Sequence, residues 1–169
     1  MSDSNLRFSE SEIEAISPDR KYQTVQLPDG GYFGMLHAYH ELHCLKHLRK
    51  YLYAEHYFPD ELSAKQIEDR RLHLEHCVDT LRQGVMCRAD VQPRTMRWLD
   101  TEPIPGANVT SPHNCNSWEA LDDWASQRSI DRIFEPGYLK HPTFGDVYSS
   151  EGTEALTSIG LAFETEQQS

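Results

Sequence analysis

The sequence predicts a mainly α domain organised around an antiparallel helical hairpin. Two long stretches poor in proline and glycine carry apolar residues at helical spacing, and a turn signal separates them. Each stretch also carries one copy of the frame H-x-x-H-C-(L/V)-x-x-L-R, from His40 to Arg49 and again from His73 to Arg82.

In chain order, residues 1–20 are a polar N-terminal segment in which Ser9 and Glu12 have capping-box spacing for a short helix closed by Pro18. Residues 21–27 read as a short strand stopped by Pro28-Asp29-Gly30-Gly31. The first long helix is expected over about residues 33–56, marked by Leu36, Leu42, Leu45, Leu48 and Leu52. Tyr57-Phe58-Pro59-Asp60 breaks it. Ser63 with Gln66 then caps a second helix reaching about residue 87, carrying Ile67, Leu74, Val78, Leu81 and Val85, with Gly84 as its weak point. Pro93, Pro103, Pro105 and Pro112 make the next segment irregular, with a strand near residues 95–98 as part of a short β-hairpin. Ser117 caps a third helix whose Trp118, Leu121 and Trp124 are expected to pack onto the hairpin. Residues 21–145 thus form a single metal-binding domain, followed by an acidic tail over 146–169.

Length and charge narrow the function. A chain of 169 residues can bury one core. Sixteen basic against 27 acidic residues, a formal charge of -11, argue against a nucleic-acid or anionic-membrane surface. No apolar run approaches the roughly 20 residues of a membrane span, and the start is no signal peptide, so as written the chain reads as soluble, without an anchor.

The repeated frame carries the chemistry. Within each copy the two histidines stand one turn apart on one helical face, because three residues advance a helix by about 300°. Phe58 lies midway between His43 and His73, so folding the helices back on each other sets the two copies side by side. A lone H-x-x-H pair is mostly a surface feature, whereas a duplicated, register-matched set asks for a shared metal. Neutral imidazoles suit zinc, copper, iron and nickel. The carboxylate template of di-iron bundles fails, since no Glu stands three places before a histidine. Zinc hydrolases use H-E-x-x-H; here Glu41 and Glu75 lie inside a spacing one residue shorter.

Outside the four, His113 in His113-Asn114-Cys115 is the best additional ligand. His47 shares the face of His40 and His43, but its counterpart in the repeat is Thr80, so the set is not extended to it; His37 and Asp69 have weaker claims, and His56 and His141 look like turn residues. Asp79 and Asp90 are either acceptors that orient imidazoles or solvated charges. Cys44 and Cys77 are either soft thiolate ligands or a disulfide clamping the helices, with Cys87 and Cys115 as a second bridge; a crossed pairing stays open. The sequon Asn108-Val109-Thr110 and the even cysteine count fit an oxidising compartment.

HELHCLKHLRK, HLEHCVDTLRQGVMCRAD, the lead-in Leu27-Pro28-Asp29-Gly30-Gly31-Tyr32, and His113-Asn114-Cys115 before Trp124 together resemble the fungal UstYa-like family, over roughly residues 22–128. The resemblance implies secondary-metabolite biosynthesis, especially of ribosomally made cyclic peptides. It implies oxidative chemistry at unactivated positions: cyclisation, hydroxylation, desaturation or halogenation. Copper is the implied metal, as one ion or a pair, with zinc or iron as alternatives. His40, His43, His73 and His76 become the essential metal residues and Cys44 and Cys77 their companions. The resemblance also implies the secretory-pathway lumen, usually through a membrane anchor, and a homo- or heterodimer with a related chain is a further expectation. Two rivals stand beside the oxidase: a noncatalytic metal- or disulfide-stabilised module that binds a partner enzyme, and a zinc-dependent lyase or hydrolase.

Overall fold

A computed structural model describes residues 5–16, 18–58, 62–110 and 112–148. In chain order these form β1 (Leu6–Phe8), α1 (Glu10–Ile16), a 3₁₀ turn (Pro18–Gln23), β2 (Tyr32–Gly34), α2 (His37–Leu52), α3 (Ala54–Tyr57) and α4 (Ala64–Arg88). Then come β3 (Met96–Trp98), β4 (Pro105–Ala107), α5 (Trp118–Ser126), a second 3₁₀ turn (Asp131–Phe134), β5 (Lys140–His141) and β6 (Gly145–Asp146). The mainly α class is as predicted, and the strands form small antiparallel pairs, β1 with β2, β3 with β4 and β5 with β6.

The expected caps are present. Ser9 and Glu12 close the start of α1 reciprocally, at 2.7 Å from the Ser9 amide to the Glu12 carboxylate. Ser63 and Gln66 form a complete capping box on α4, and the Ser117 hydroxyl accepts from the Ala120 amide at 3.2 Å. The strand near residues 95–98 is β3, paired with β4 in the irregular segment. The acidic-tail expectation falls, for residues 149–169, outside the described residues.

Two stretches differ from expectation. Residues 18–23 turn as a 3₁₀ helix instead of extending, because Lys21 folds back to the carboxylates of Glu10 and Glu14 on α1. The first long helix starts at His37 and not near residue 33, because Tyr32–Gly34 pairs with β1. β1 comes from the segment read as polar, yet Leu6 is fully buried. Its backbone is held from both sides, by β2 and by residues near 128–130, with the Arg7 amide donating to the Arg128 carbonyl at 2.9 Å and the Ile130 amide to Asn5 at 2.9 Å.

Around that strand two apolar clusters form. Leu6, Tyr39 and Ala125 gather Phe8, Leu36, Leu121 and Trp124; Leu27, Ile130, Ile133, Tyr138 and Leu139 gather Phe33, Val147 and Tyr148. The first pins α5 to the start of α2, as expected of Trp118, Leu121 and Trp124. Trp118 meets Tyr39 edge-on with centroids 5.4 Å apart, and the Tyr39 hydroxyl donates to Asp122 at 2.7 Å. The Pro28-Asp29-Gly30-Gly31 turn is a second pin. Gly31 has φ +80°, and a Cβ there would meet the Phe8 carbonyl at 2.9 Å, so glycine lets the turn lie against β1. Asp29 accepts from Arg7 at 2.9 Å and from the Tyr138 hydroxyl at 2.8 Å. The hairpin is thereby anchored at one end.

Candidate metal centre on the helical hairpin

α2 and α4 pack against each other along a seam of small and polar residues. Cys44 and Cys77 are fully buried, and Glu41, His43, Thr80 and Gly84 are buried with them. The leucine and valine stripes that mark the helices in sequence lie to the side, with Leu45, Val78 and Val85 more than half exposed. Small residues win the seam because they let two helices approach closely. At Gly84 a Cβ would stand 1.9 Å from Glu41 Oε1, so glycine is the residue that admits this carboxylate between the helices. Glu41 is then gripped by Arg88, with both oxygens accepting from one guanidinium nitrogen at 2.7 and 2.8 Å.

This seam brings the two histidine pairs together. His40 faces His76 with ring centroids 5.5 Å apart, and His43 faces His73 at 5.8 Å, so positions equally far from Phe58 oppose each other as predicted. Along α2, His40 and His43 are 6.2 Å apart. His47, left outside the set by the sequence reading, belongs to the cluster: it lies 4.3 Å from His43 and 4.8 Å from His73. His37 flanks the other end, 6.2 Å from His40. His43 is buried, His40, His47 and His73 half-buried, and His37 and His76 exposed, so the row opens to solvent at its anchored end.

The imidazoles suit a metal. Burial first, then the neighbouring histidines, lower the pKa of His40 and His73, which keeps their rings neutral and able to offer a lone pair at neutral pH. Two imidazoles bound to one ion at about 2 Å put their centroids roughly 5 Å apart at near-tetrahedral angles, close to the cross-hairpin spacing here. As placed, no three His, Cys, Asp or Glu side chains among the described residues converge on one point. Metal binding therefore calls for ring rotation on a fixed pair of helices. A buried oxygen, Asp69 Oδ2, also lies without a hydrogen-bond partner one turn before His73, so the donor set fits a cation.

The remaining candidates separate. His113 is drawn to Asp90, with Nδ1 and Oδ2 2.6 Å apart, and takes no part in the ring contacts of the hairpin row. Asp90 is thus an acceptor that orients an imidazole, and its pKa is lowered first by the Gln92 amide and then by His113. Asp79 instead binds Arg82 and Gln83. Glu41 is committed to Arg88, with His37 Nε2 at 3.4 Å, and Glu75 to Arg71.

The cysteines depart from the two-bridge expectation, because all four are free thiols. Cys44 and Cys77 do stand together, in hydrogen-bond contact across the seam. Burial, and then Cys44, push the Cys77 thiol well above its usual range, which disfavours the thiolate needed for metal ligation. Cys87 and Cys115 are exposed and unbridged. Among the described residues no helix is long and apolar enough to cross a membrane.

Comparison with known proteins places the chain in a family. The oxidase phomYc' of Diaporthe leptostromiformis, named as a UstYa family member, is 28% identical over 124 residues, 71% of this chain and 48% of that protein. The hydroxylase cctR of Talaromyces islandicus is 35% identical over 112 residues, 66% of this chain and 40% of that protein. The oxidase ustYa of Aspergillus flavus is 31% identical over 98 residues, 57% of this chain and 42% of that protein. The chain thus spans less than half the length of each of these relatives. No solved structure matches it. The sequence model of the family described as mycotoxin biosynthesis protein UstYa matches residues 2–128, the stretch that contains both histidine motifs and α5, and the chain belongs to that family.

Proposed function

We propose that this chain is a copper-dependent oxidase of secondary-metabolite biosynthesis, acting at an unactivated C–H position of a small-molecule or peptide substrate. The observation that carries the proposal is the facing of His40 with His76 and of His43 with His73 across one seam. The names of the relatives, oxidases and a hydroxylase, support the oxidative class. His40, His43, His73 and His76 would hold the metal through neutral imidazole nitrogens. Copper, when bound, supplies the one-electron and dioxygen chemistry of C–H oxidation.

The chain's own residues do the rest. The Cys44–Cys77 seam and the Glu41–Arg88 ion pair fix the helices, so the rings swing from fixed points. The exposed His76 edge leaves room for substrate to approach. Zinc hydrolases of the H-E-x-x-H type use the glutamate between their ligands as general base. Glu41 is buried against Arg88 and Glu75 is paired with Arg71, which favours the oxidase.

A noncatalytic, partner-binding module is the second reading. It draws on an open apolar groove of about 430 Å³ on the hairpin, floored by Leu48, Tyr51, Leu74 and Val78.

The test is elemental analysis of protein purified without added metal, followed by oxygen uptake with reductant. Copper in the wild type, with uptake lost in His40→Ala and His76→Ala at unchanged helix content, is the expected result. Zinc with activity in the absence of oxygen, or uptake at the wild-type rate in either variant, overturns the reading. Absent uptake with intact metal turns the choice to the partner-binding module.

A further inference from the structure

We propose that the hairpin holds a second metal position nearer its turn, formed by the imidazoles of His43, His47 and His73 with the Asp69 carboxylate beside them. The proposal rests on the reading that the repeated histidines bind metal: with two ions bound, His40 and His76 hold the first while His43 and His73 serve the second, joined there by His47, a residue of the first frame with no histidine counterpart in the second, and by Asp69 from outside both.

The register leads to it. In an antiparallel hairpin the spatial partner of a residue is its mirror position about the turn, not its counterpart in the sequence repeat. His40 with His76 and His43 with His73 are mirror pairs about Phe58. His47 and Asp69 are the next such pair toward the turn, so the row reads His–His, His–His, His–Asp. Thr80, the repeat counterpart of His47, belongs to the seam.

The distances agree. His43, His47 and His73 form the tightest triangle of rings in the row, with centroids 4.3, 4.8 and 5.8 Å apart. Three imidazoles are a recurrent protein set for a metal that keeps an open place for water or substrate. Asp69 stands one turn before His73, and its Oδ2 is buried without a hydrogen-bond partner, with Lys65 Nζ at 3.5 Å. A buried carboxylate oxygen left unsatisfied is costly, and a cation or an imidazole N–H beside it removes the cost. The ligand class is a borderline-soft transition-metal ion, since imidazole outnumbers oxygen in the set.

Co(II) is the probe, titrated into the chelator-stripped full chain under reducing conditions. Visible absorption reports coordination, competition with a chelating dye reports affinity, and elemental analysis reports ions per chain. Wild type is expected to take up two ions, His47→Asn one, and the double variant His40→Ala/His76→Ala one. Asp69→Asn should keep both positions but weaken the turn-proximal one by about 10-fold. Circular dichroism checks that each variant folds, and Asp69→Asn serves independently where His47→Asn does not. A wild type that takes up at most one ion, or a folded His47→Asn that takes up as much as wild type, overturns the proposal. If the double variant binds as the wild type does while His47→Asn loses an ion, the four-histidine reading fails and the turn-proximal position stands.

Discussion

Gly84→Ala puts the packing of the hairpin to a quantitative test. In an exposed helix this exchange stabilises by about 1 kcal/mol, because alanine has the better helix propensity. At residue 84 the added Cβ would overlap Glu41 Oε1 at 1.9 Å and crowd its Cδ at 2.8 Å. The carboxylate must move, and it is buried and held by Arg88. Losing hydrogen bonds to a charged, buried group costs about 1.5–3 kcal/mol. The propensity gain offsets part of that, leaving a net destabilisation of about 0.5–2 kcal/mol. Urea unfolding followed by circular dichroism reads the change, and Glu41→Ala closes a double-mutant cycle. With the carboxylate gone, Gly84→Ala should stabilise by about 1 kcal/mol, so the two changes couple by roughly 2 kcal/mol. Since His40 adjoins Glu41, the same displacement should also weaken metal uptake. Additivity within about 0.5 kcal/mol, or stabilisation by Gly84→Ala alone, would refute the reasoning.

Three further outcomes are expected. The Arg7 guanidinium first, and then the Tyr138 hydroxyl, hold the Asp29 carboxyl down from 3.8 to about 2; a depressed carboxylate stabilises the fold above its ordinary value, and that contribution disappears as pH falls from 3.8 toward 2. Melting of Asp29→Asn should be flatter than wild type across this window, and parallel curves would remove the link. Under reducing conditions a thiol reagent should modify Cys87 and Cys115 at once but Cys44 and Cys77 only as the protein unfolds, since the latter pair is fully buried; uniform reaction would contradict the seam. Leu6→Ala should destabilise by about 2–5 kcal/mol, the range for truncating a buried leucine, and a change under 1 kcal/mol would show that β1 does not hold the ends together.

The hairpin and its register were legible because they rest on local signals: Ser63 with Gln66 starts α4, Ser117 starts α5, and Phe58 is equidistant from His43 and His73. The seam was not. Periodicity selects the leucine stripes, but close approach of two helices selects Cys44, Cys77, Thr80 and Gly84, and that choice is made by the partner surface. β1 is three residues long and its burial depends on residues near 128–130, so no local pattern could announce it. The turn at residues 18–23 was decided by Lys21 reaching α1. Aligned as a repeat, the motifs set His47 against Thr80, whereas the hairpin pairs positions as mirror images and sets it against Asp69. Cys115 carries no bridge that would hold His113 beside the hairpin row, and the contact of His113 with Asp90 depends on the path of an irregular segment.

The folded hairpin should not need its metal. In small metal-dependent domains the ligands are the core, so removing the ion unfolds the chain. Here the contacts that close the hairpin are made by the Cys44 and Cys77 thiols, the Glu41–Arg88 ion pair and the Gly84 approach, while most of the imidazoles stand on its flank, half-buried or exposed. The start of α2 is held separately through Tyr39 and Asp122. Chelator-treated protein should therefore keep its helical circular dichroism and a cooperative melt, and an added ion should raise stability only by mass action, about 2.7 kcal/mol at a hundredfold excess over its dissociation constant. Collapse of the helical signal on chelation would mean that the ion holds the helices together, and would move the balance from a catalytic centre toward a structural one.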